Sequence, residues 1–517
     1  MARLLLEPVS IAGSPKLIVA GFGVVLCWVS IGFGVKAGVT MDDSFIVFRV
    51  LENWLSGLGP RFNAGDSHFI ITSPLWLVVL AAFKGALPSV ATPELAQALV
   101  WILLVAASVL LFALLKDDFP VASMLAPAAV FYTPSMGSLA GHDTACALVA
   151  GLALLVCHHR DHPNGMAIAA GLFYLARGEG AVLAGIVGCH YVLRAGFDWR
   201  SVRSQIRRML PGLGVSLLCV GGWHLYYALE FGGLFPSTLA IKIAQGSFQG
   251  NGLSDAVWPA FATGMPDHFA LIAGGVFSQL LLIAGFAVLV IRRWPLALWP
   301  LVHVAIYAGL GVPYYHWYYY SVELVGVVSV LVGAEVAFRL VLGLTSPNRV
   351  GLRVAAVVLA LLVGIAAVPS IRAPMSLQPG PILPALRSVS VPDSPEVDAR
   401  FRVYQEIAEW TAQQPEASND TLLASEVGIL GHALPSLRVL DIVGLTDPGV
   451  PPERFFDYRW HIERYEPEYL LLFLGAAQLD QHTIPLSDGR ALQYRRIFVP
   501  RNRFRGAALF ELSGPSR

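Results

Sequence analysis

The sequence predicts a polytopic α-helical membrane protein carrying a C-terminal α/β domain outside the cytoplasm. Hydrophobic residues make up 56% of the 517-residue chain and charged residues only 14%, where ordinary soluble domains carry about a quarter. Apolar runs recur at lengths near the ~20 residues that cross a bilayer, and the mean hydropathy is +0.63. Beyond about Arg372 the composition changes to a proline-rich stretch and then to mixed helical and strand patterns.

Eleven runs qualify as spans, at about 16–35, 95–115, 121–137, 142–157, 166–178, 180–194, 209–229, 269–290, 294–312, 318–340 and 354–371. The first reads as a retained helix, because Ser30 to Ala37 offers no small-residue cleavage site and Asp42 follows soon after. With these spans, the basic loops fall on one side: Arg3 and Lys16, Lys116, His158 to Arg160, Arg194 to Arg208, Arg292 and Arg293, then Arg339 to Arg353. Basic loops mark the cytoplasmic side. The N-terminus is then cytoplasmic, while Asp42, Asp43, Gly141 to Thr144, Leu234 to Asp267, Pro313 to Tyr320 and everything after about Arg372 are extracytoplasmic.

Thr72 to Leu87 is apolar but interrupted by Lys84 and flanked by prolines. Counting it as a span would move every later basic loop outside, so it is expected to lie along the outer membrane face or re-enter it. The membrane domain therefore covers 1–371 with a long first outer loop at 36–94, a linker covers 372–398, and 399–517 forms the α/β domain. In that domain Tyr404 to Gln413 has helical periodicity, and Thr421 to Ser425, Leu437 to Val443 and Tyr469 to Phe473 read as buried strands.

Lys+Arg and Asp+Glu both total 35, so no net field draws nucleic acid or anionic lipid to the whole molecule. The five cysteines, Cys27, Cys146, Cys157, Cys189 and Cys219, fall in or beside apolar spans and suggest neither a disulfide framework nor a metal site. No Walker loop, dinucleotide-binding glycine turn, His-Glu-x-x-His or nucleophile elbow occurs.

The candidates for chemistry are polar residues placed where water meets lipid. Acids held there are expensive, so Asp42 and Asp43 stand out at the start of the first outer loop. Close together at a desolvated interface they suit a general base that takes a proton from a sugar hydroxyl, with the partner orienting it or holding a divalent ion. The alternative is two acids solvating a helix end. Arg177 and Glu179, in ARGEG, lie between runs too short to be separated by a real loop. Either they form an internal ion pair, or Arg177 presents paired donors to a phosphate.

Lys242, in FPSTLAIKIAQ, is a second phosphate candidate against an ordinary surface lysine. His142 and Asp143, in AGHDTA, begin an apolar run where an acid also favours a helix N-terminus. The aromatic run PYYHWYYY, with Tyr315, His316 and Trp317, fits an interfacial belt or a sugar-stacking surface.

Taken in order, these motifs resemble a known family. MDDSFIVFRVLENWLSGLGPRFNAGDSHFIITSPLW resembles the first outer loop of GT-C fold membrane glycosyltransferases, in the branch of the mycobacterial terminal arabinofuranosyltransferase. AGHDTACALVAGLALL resembles that branch's Gly-x-Glu-Thr element, ARGEG its Arg-Pro-Glu-Gly, and LFPSTLAIK its Leu-Pro-Asn-Thr-x-x-x-Lys. SEVGILGHALPSLRVLDIVGLTDP resembles its C-terminal domain signature. Asp143, Gly178 and Ser237 depart from the family's Glu, Pro and Asn.

The resemblance implies a cell-wall glycosyltransferase of the bacterial inner membrane that takes a polyprenyl-monophosphate sugar, arabinofuranose in the first instance, on the periplasmic face. The acceptor is a glycan, lipid or protein. By the resemblance Asp42 or Asp43 is the base and Arg177 and Lys242 lie near the donor, with His316 and Arg49, from the Phe-Arg step, as further candidates for binding the donor or its phosphate. His142, Asp143, Glu179, Tyr315 and Trp317 support the site or the acceptor. No cofactor is implied beyond a divalent cation at the acid pair, and nucleic acid is not a partner. Competing readings are a mannosyl- or aminoarabinosyl-transferase of the same fold, a flippase of a lipid-linked saccharide, and a membrane scaffold presenting the outer domain.

Overall fold

The computed structural model describes residues 42–132, 141–236, 238, 240–244, 276–310, 316–343, 395–414, 420–447, 449–473, 478–501 and 506–515. The expected spans at 16–35 and 354–371 and nearly all of the linker lie outside the described residues.

The first outer loop folds into α1 (Asp42–Leu55), an irregular stretch, and α2 (Pro74–Ala86). Proline in the first turn opens α2, and Lys84 Nζ closes its far end by donating to the carbonyls of Pro88 and Val90 at 3.0 and 2.6 Å. At 13 residues α2 is about 20 Å long, too short to cross a ~30 Å hydrocarbon layer. It buries Trp76, Leu77 and Leu80 while exposing Val78 and Phe83, as a helix lying along a membrane face would.

The helical body follows as α3 (Thr92–Leu115), α4 (Pro120–Tyr132), α5 (Thr144–His159), α6 (Pro163–Ala176), α7 (Gly180–Leu193), α8 (Trp199–Phe231), α9 (Val276–Arg292), α10 (Trp294–Leu310) and α11 (Tyr320–Gly343). Among the described residues α3, α8 and most of α11 are long and apolar enough to cross a membrane, and α9 with α10 forms a pair bent by 113° at Arg293. With the shorter apolar helices these make a multi-pass membrane protein.

α8 starts earlier than its apolar run, because Asp198 caps it by accepting from the amides of Arg200 and Ser201, both at 3.0 Å. Its basic opening turns thus extend the span beyond the lipid. α9 and α11 approach closely at two glycines: a Cβ on Gly285 would overlap the Ser329 carbonyl, and one on Gly333 the Leu281 carbonyl. Small residues permit such contact where no hydrophobic force drives helices together.

The C-terminal region comprises α12 (Pro395–Ala412), β1 (Thr421–Ala424), α13 (Gly428–Ala433), β2 (Arg438–Asp441), α14 (Tyr458–Tyr465), β3 (Tyr469–Leu472), β4 (Gln481–Pro485), β5 (Ala491–Phe498) and β6 (Ala508–Pro515). The six strands order as β2-β1-β3-β6-β5-β4. β1 runs parallel to β2 and β3, with Leu422 opposite both Val439 and Tyr469, and the remaining pairs are antiparallel.

Side chains alternate across the strands. Leu422, Val439, Leu471 and Leu509 join the large core shared with the helical body, whereas Leu423, Leu440, Leu470 and Phe510 fill a second core on the opposite face. β1 to β3 coincide with the strands expected at 421–425, 437–443 and 469–473, whereas β4 to β6 go beyond the expected strands. Their alternation was available, for Leu492 and Tyr494 are buried and Gln493 and Arg495 exposed.

α1 packs against α13, the short helix that follows β1. The Asp42 carboxylate accepts from the amides of Gly428 and Ile429, both at 2.8 Å. Glycine is required at 428 because a Cβ there would overlap the Asp42 carbonyl.

Arg49 completes the junction. Its guanidinium donates to the carbonyls of Phe62, Gly431, Leu434 and Leu437 and to Asn63 Oδ1. This corrects the expectation that Arg49 binds the donor phosphate. The side chain is 4% exposed and its donors are committed to main-chain oxygens. Burial lowers its pKa to about 10, so it remains a cation at neutral pH.

Candidate active site

The loops that open α2, α5 and α7 converge with α1, α8 and the end of α10 around a cavity of about 460 Å³. Its polar wall includes Asp43, Ser73, His142, Asp143, Arg177, Glu179, His224, Tyr307 and Lys242, and its apolar wall Ile46, Val47, Val182, Trp223, Phe235 and Ile306. Of the adjacent acids, Asp43 lines the cavity while Asp42 is turned to α13. Successive helical residues diverge by about 100°, so two neighbouring carboxylates reach different surroundings. A divalent site using both would have to withdraw Asp42 from its two amides. Among the described residues no group of three or more His, Cys, Asp or Glu side chains is arranged to hold a metal ion.

Asp143 precedes α5 but makes no capping hydrogen bond. Its Oδ1 lies 2.7 Å from His142 Nδ1 and 3.2 Å from Arg177 Nη1, and Ser73 also hydrogen-bonds to it. The helix-cap alternative for Asp143 is therefore replaced by an ionic one. Arg177 follows α6, which ends where the chain turns into α7. Its Nε donates to Glu179 Oε1 at 2.6 Å and its Nη2 to the Tyr307 hydroxyl at 3.1 Å. Tyr307 in turn donates to the same Glu179 oxygen at 2.6 Å.

The guanidinium lies 5.0 Å from the Tyr318 ring centre, and Tyr318 stacks on Tyr307 at 4.5 Å. Arg177 is thus an internal ion pair that also lines the cavity. These partners use three of its five N–H groups.

Lys242 is 9% exposed and is not an ordinary surface lysine. Close behind it is Asp441, at the end of β2, which accepts from the amides of Val443 and Leu445 at 2.8 and 2.9 Å. Burial pushes the Asp441 carboxyl up to about 7, against the pull of those amides and of Lys242. At neutral pH Asp441 is therefore partly protonated.

Tyr315 lies outside the described residues. His316 and Trp317 begin the 3₁₀ turn His316–Tyr319, and their side chains are likewise not described. Sequence reasoning missed Tyr307, Tyr174, His224 and Asp441. His224 is held between the Tyr174 hydroxyl at 2.7 Å and the Leu234 carbonyl at 2.8 Å. A histidine beside Trp223 near the end of an apolar run was a usable signal, as was an acid ending the apolar strand RVLD. Tyr307, in the middle of an apolar run, gave none.

No protein-family model matches the sequence, and no curated protein matches it. Among solved structures the chain is similar to ArnT from Cupriavidus metallidurans bound to undecaprenyl phosphate, with a TM-score of 0.51 and 14% identity over 96% of this chain and 98% of that one. ArnT from the same organism in the apo state gives 0.50 and 16% identity over 95% and 97%. The Archaeoglobus fulgidus oligosaccharyltransferase, tethered with an acceptor peptide containing the NVT sequon via a disulfide bond, gives 0.50 and 12% identity over 89% and 69%. Identities this low speak to architecture alone, and the architecture they share with this chain is the GT-C fold of membrane glycosyltransferases.

Proposed function

We propose that the protein is a glycosyltransferase that moves a sugar from a polyprenyl-monophosphate donor to an envelope glycan or other acceptor at the extracytoplasmic membrane face. The observation that carries this reading is one cavity shared by a carboxylate from the first outer loop, Asp43, and two cationic side chains distant in sequence, Arg177 and Lys242. Its apolar wall suits a prenyl chain. The undecaprenyl phosphate bound in the ArnT structure of similar fold supports the donor class.

In this reading Asp43 accepts the proton of an acceptor hydroxyl as that oxygen bonds to the anomeric carbon. The carbon–oxygen bond to the phosphate breaks, and the electron pair leaves with the polyprenyl phosphate. Lys242 stabilises the phosphate charge, and Arg177 presents fixed N–H donors to it. Because Asp143 and Glu179 offset the charge of Arg177, its contribution is mainly orientation. Asp43 then releases its proton to solvent.

On the ordered motifs we assign arabinofuranose as the sugar, with mannosyl and aminoarabinosyl donors as the alternatives. A flippase would place its binding groups near the membrane midplane. Here α5, α7 and α10 carry site residues at one end and basic residues at the other, which supports a reaction at a single face with the basic ends in the cytoplasm.

The test is incubation of the purified protein with a panel of radiolabelled polyprenyl-phosphate sugars, with Asp43→Asn as control. Sugar transfer by the wild type and its loss in the variant would support the reading. Movement of intact donor across vesicles without transfer would overturn it.

A further inference from the structure

A second cavity, of about 160 Å³, lies at the far ends of the same helices. α5, α7 and α10 begin or end at the Asp43 cavity and run 16, 14 and 17 residues, or about 21–26 Å, to reach it. The two cavities are therefore separated by most of a hydrocarbon layer. His158, His159, Arg194, Arg292 and Arg293 line the second one, and three aspartates flank it: Asp118 beside Arg293, Asp161 beside Arg194 and Asp117 beside His159.

Arg293 occupies the bend between α9 and α10 and is 8% exposed. Its Nε donates to the Leu114 carbonyl at 2.9 Å, and its Nη1 lies 2.5 Å from Asp118 Oδ2. Its Nη2 is buried with no hydrogen-bond partner among the described residues. An unsatisfied guanidinium nitrogen in a basic pocket calls for an anion. Trp294 to Leu296, the first turn of α10, also line the pocket and add the positive end of that helix.

Leu193 and Ile291, next in the chain to Arg194 and Arg292, are 40% and 68% exposed, and Val290 is 47% exposed. An anion with an attached hydrocarbon chain would meet apolar surface on leaving the pocket. Basic pockets between the inner ends of membrane helices suit lipid headgroups for this reason.

We propose that this pocket binds the phosphate of an anionic membrane-lipid headgroup, on the membrane face opposite the Asp43 cavity. The inference is independent of the transfer reaction.

Full-length protein in neutral detergent would be titrated with phosphatidylglycerol, phosphatidylcholine or inorganic phosphate, following thermal unfolding and lipid retention by native mass spectrometry. The variants are Arg293→Lys, which keeps a charge beside Asp118 but removes the unpaired nitrogen, and Arg292→Gln, which leaves Arg293 intact should the first not fold. Phosphatidylglycerol should raise the unfolding midpoint and stay bound, with apparent affinity about tenfold lower in each variant. Equal responses to phosphatidylcholine, or unchanged lipid affinity in the folded variants, would overturn the proposal. Stabilisation by inorganic phosphate alone would overturn the lipid assignment in favour of a free anion.

Discussion

Replacing Asp42 and Asp43 one at a time should separate docking from chemistry. Asp42→Asn keeps one acceptor oxygen for the amides of Gly428 and Ile429 but loses the charge, and its NH₂ group faces an N–H donor. One charge-assisted hydrogen bond at a partly buried site is worth about 2 kcal/mol, a factor of about 30 in the local opening equilibrium. Hydrogen exchange of the 428–431 amides should accelerate by about that factor, while turnover stays within a few-fold of wild type.

Asp43→Asn should leave those amides and the unfolding midpoint unchanged and reduce kcat at least about 100-fold, as expected for loss of a general base. The decisive assay is exchange mass spectrometry alongside sugar transfer on the same preparations. Full activity of Asp43→Asn, or an inactive Asp42→Asn with unchanged exchange, would refute the division of roles.

Arg49→Met should remove the donor from five acceptors at the α1–α13 junction and cost roughly 3–5 kcal/mol, seen as a lower unfolding midpoint with little change in donor KM for the protein that remains folded. Asp441→Asn should flatten the pH dependence of stability. The folded carboxyl holds a proton up to about pH 7 that the unfolded chain loses near 3.8, so wild-type stability falls as pH rises through that window. The fall is on the order of 3–4 kcal/mol, and differential scanning fluorimetry between pH 4 and 8 measures it. Gly333→Ala should force α9 and α11 apart and destabilise by about 1–3 kcal/mol. Gly185→Ala, on a helix face with nothing within 4 Å of the new methyl group, should be neutral or mildly stabilising in the same melt.

The sequence by itself determined that this is a membrane protein, where its main helices run, and that polar residues gather at one end of them. Hydropathy and charge bias are local properties set by bilayer thickness, so Thr92–Leu115 and Tyr320–Gly343 could be read directly, as could the buried strands at 421, 438 and 469. Loop parity put Asp43, Arg177 and Lys242 at one membrane face, and motif order pointed the same way.

Tertiary structure alone decided which acid faces the cavity and that Arg49 is a structural hub. It also brought Tyr307 and Asp441 into the site. These outcomes depend on contacts between residues as many as 388 positions apart, such as Arg49 with Leu437. A buried donor takes whatever acceptor the packed fold leaves within 3 Å, and no periodicity in the chain encodes that choice.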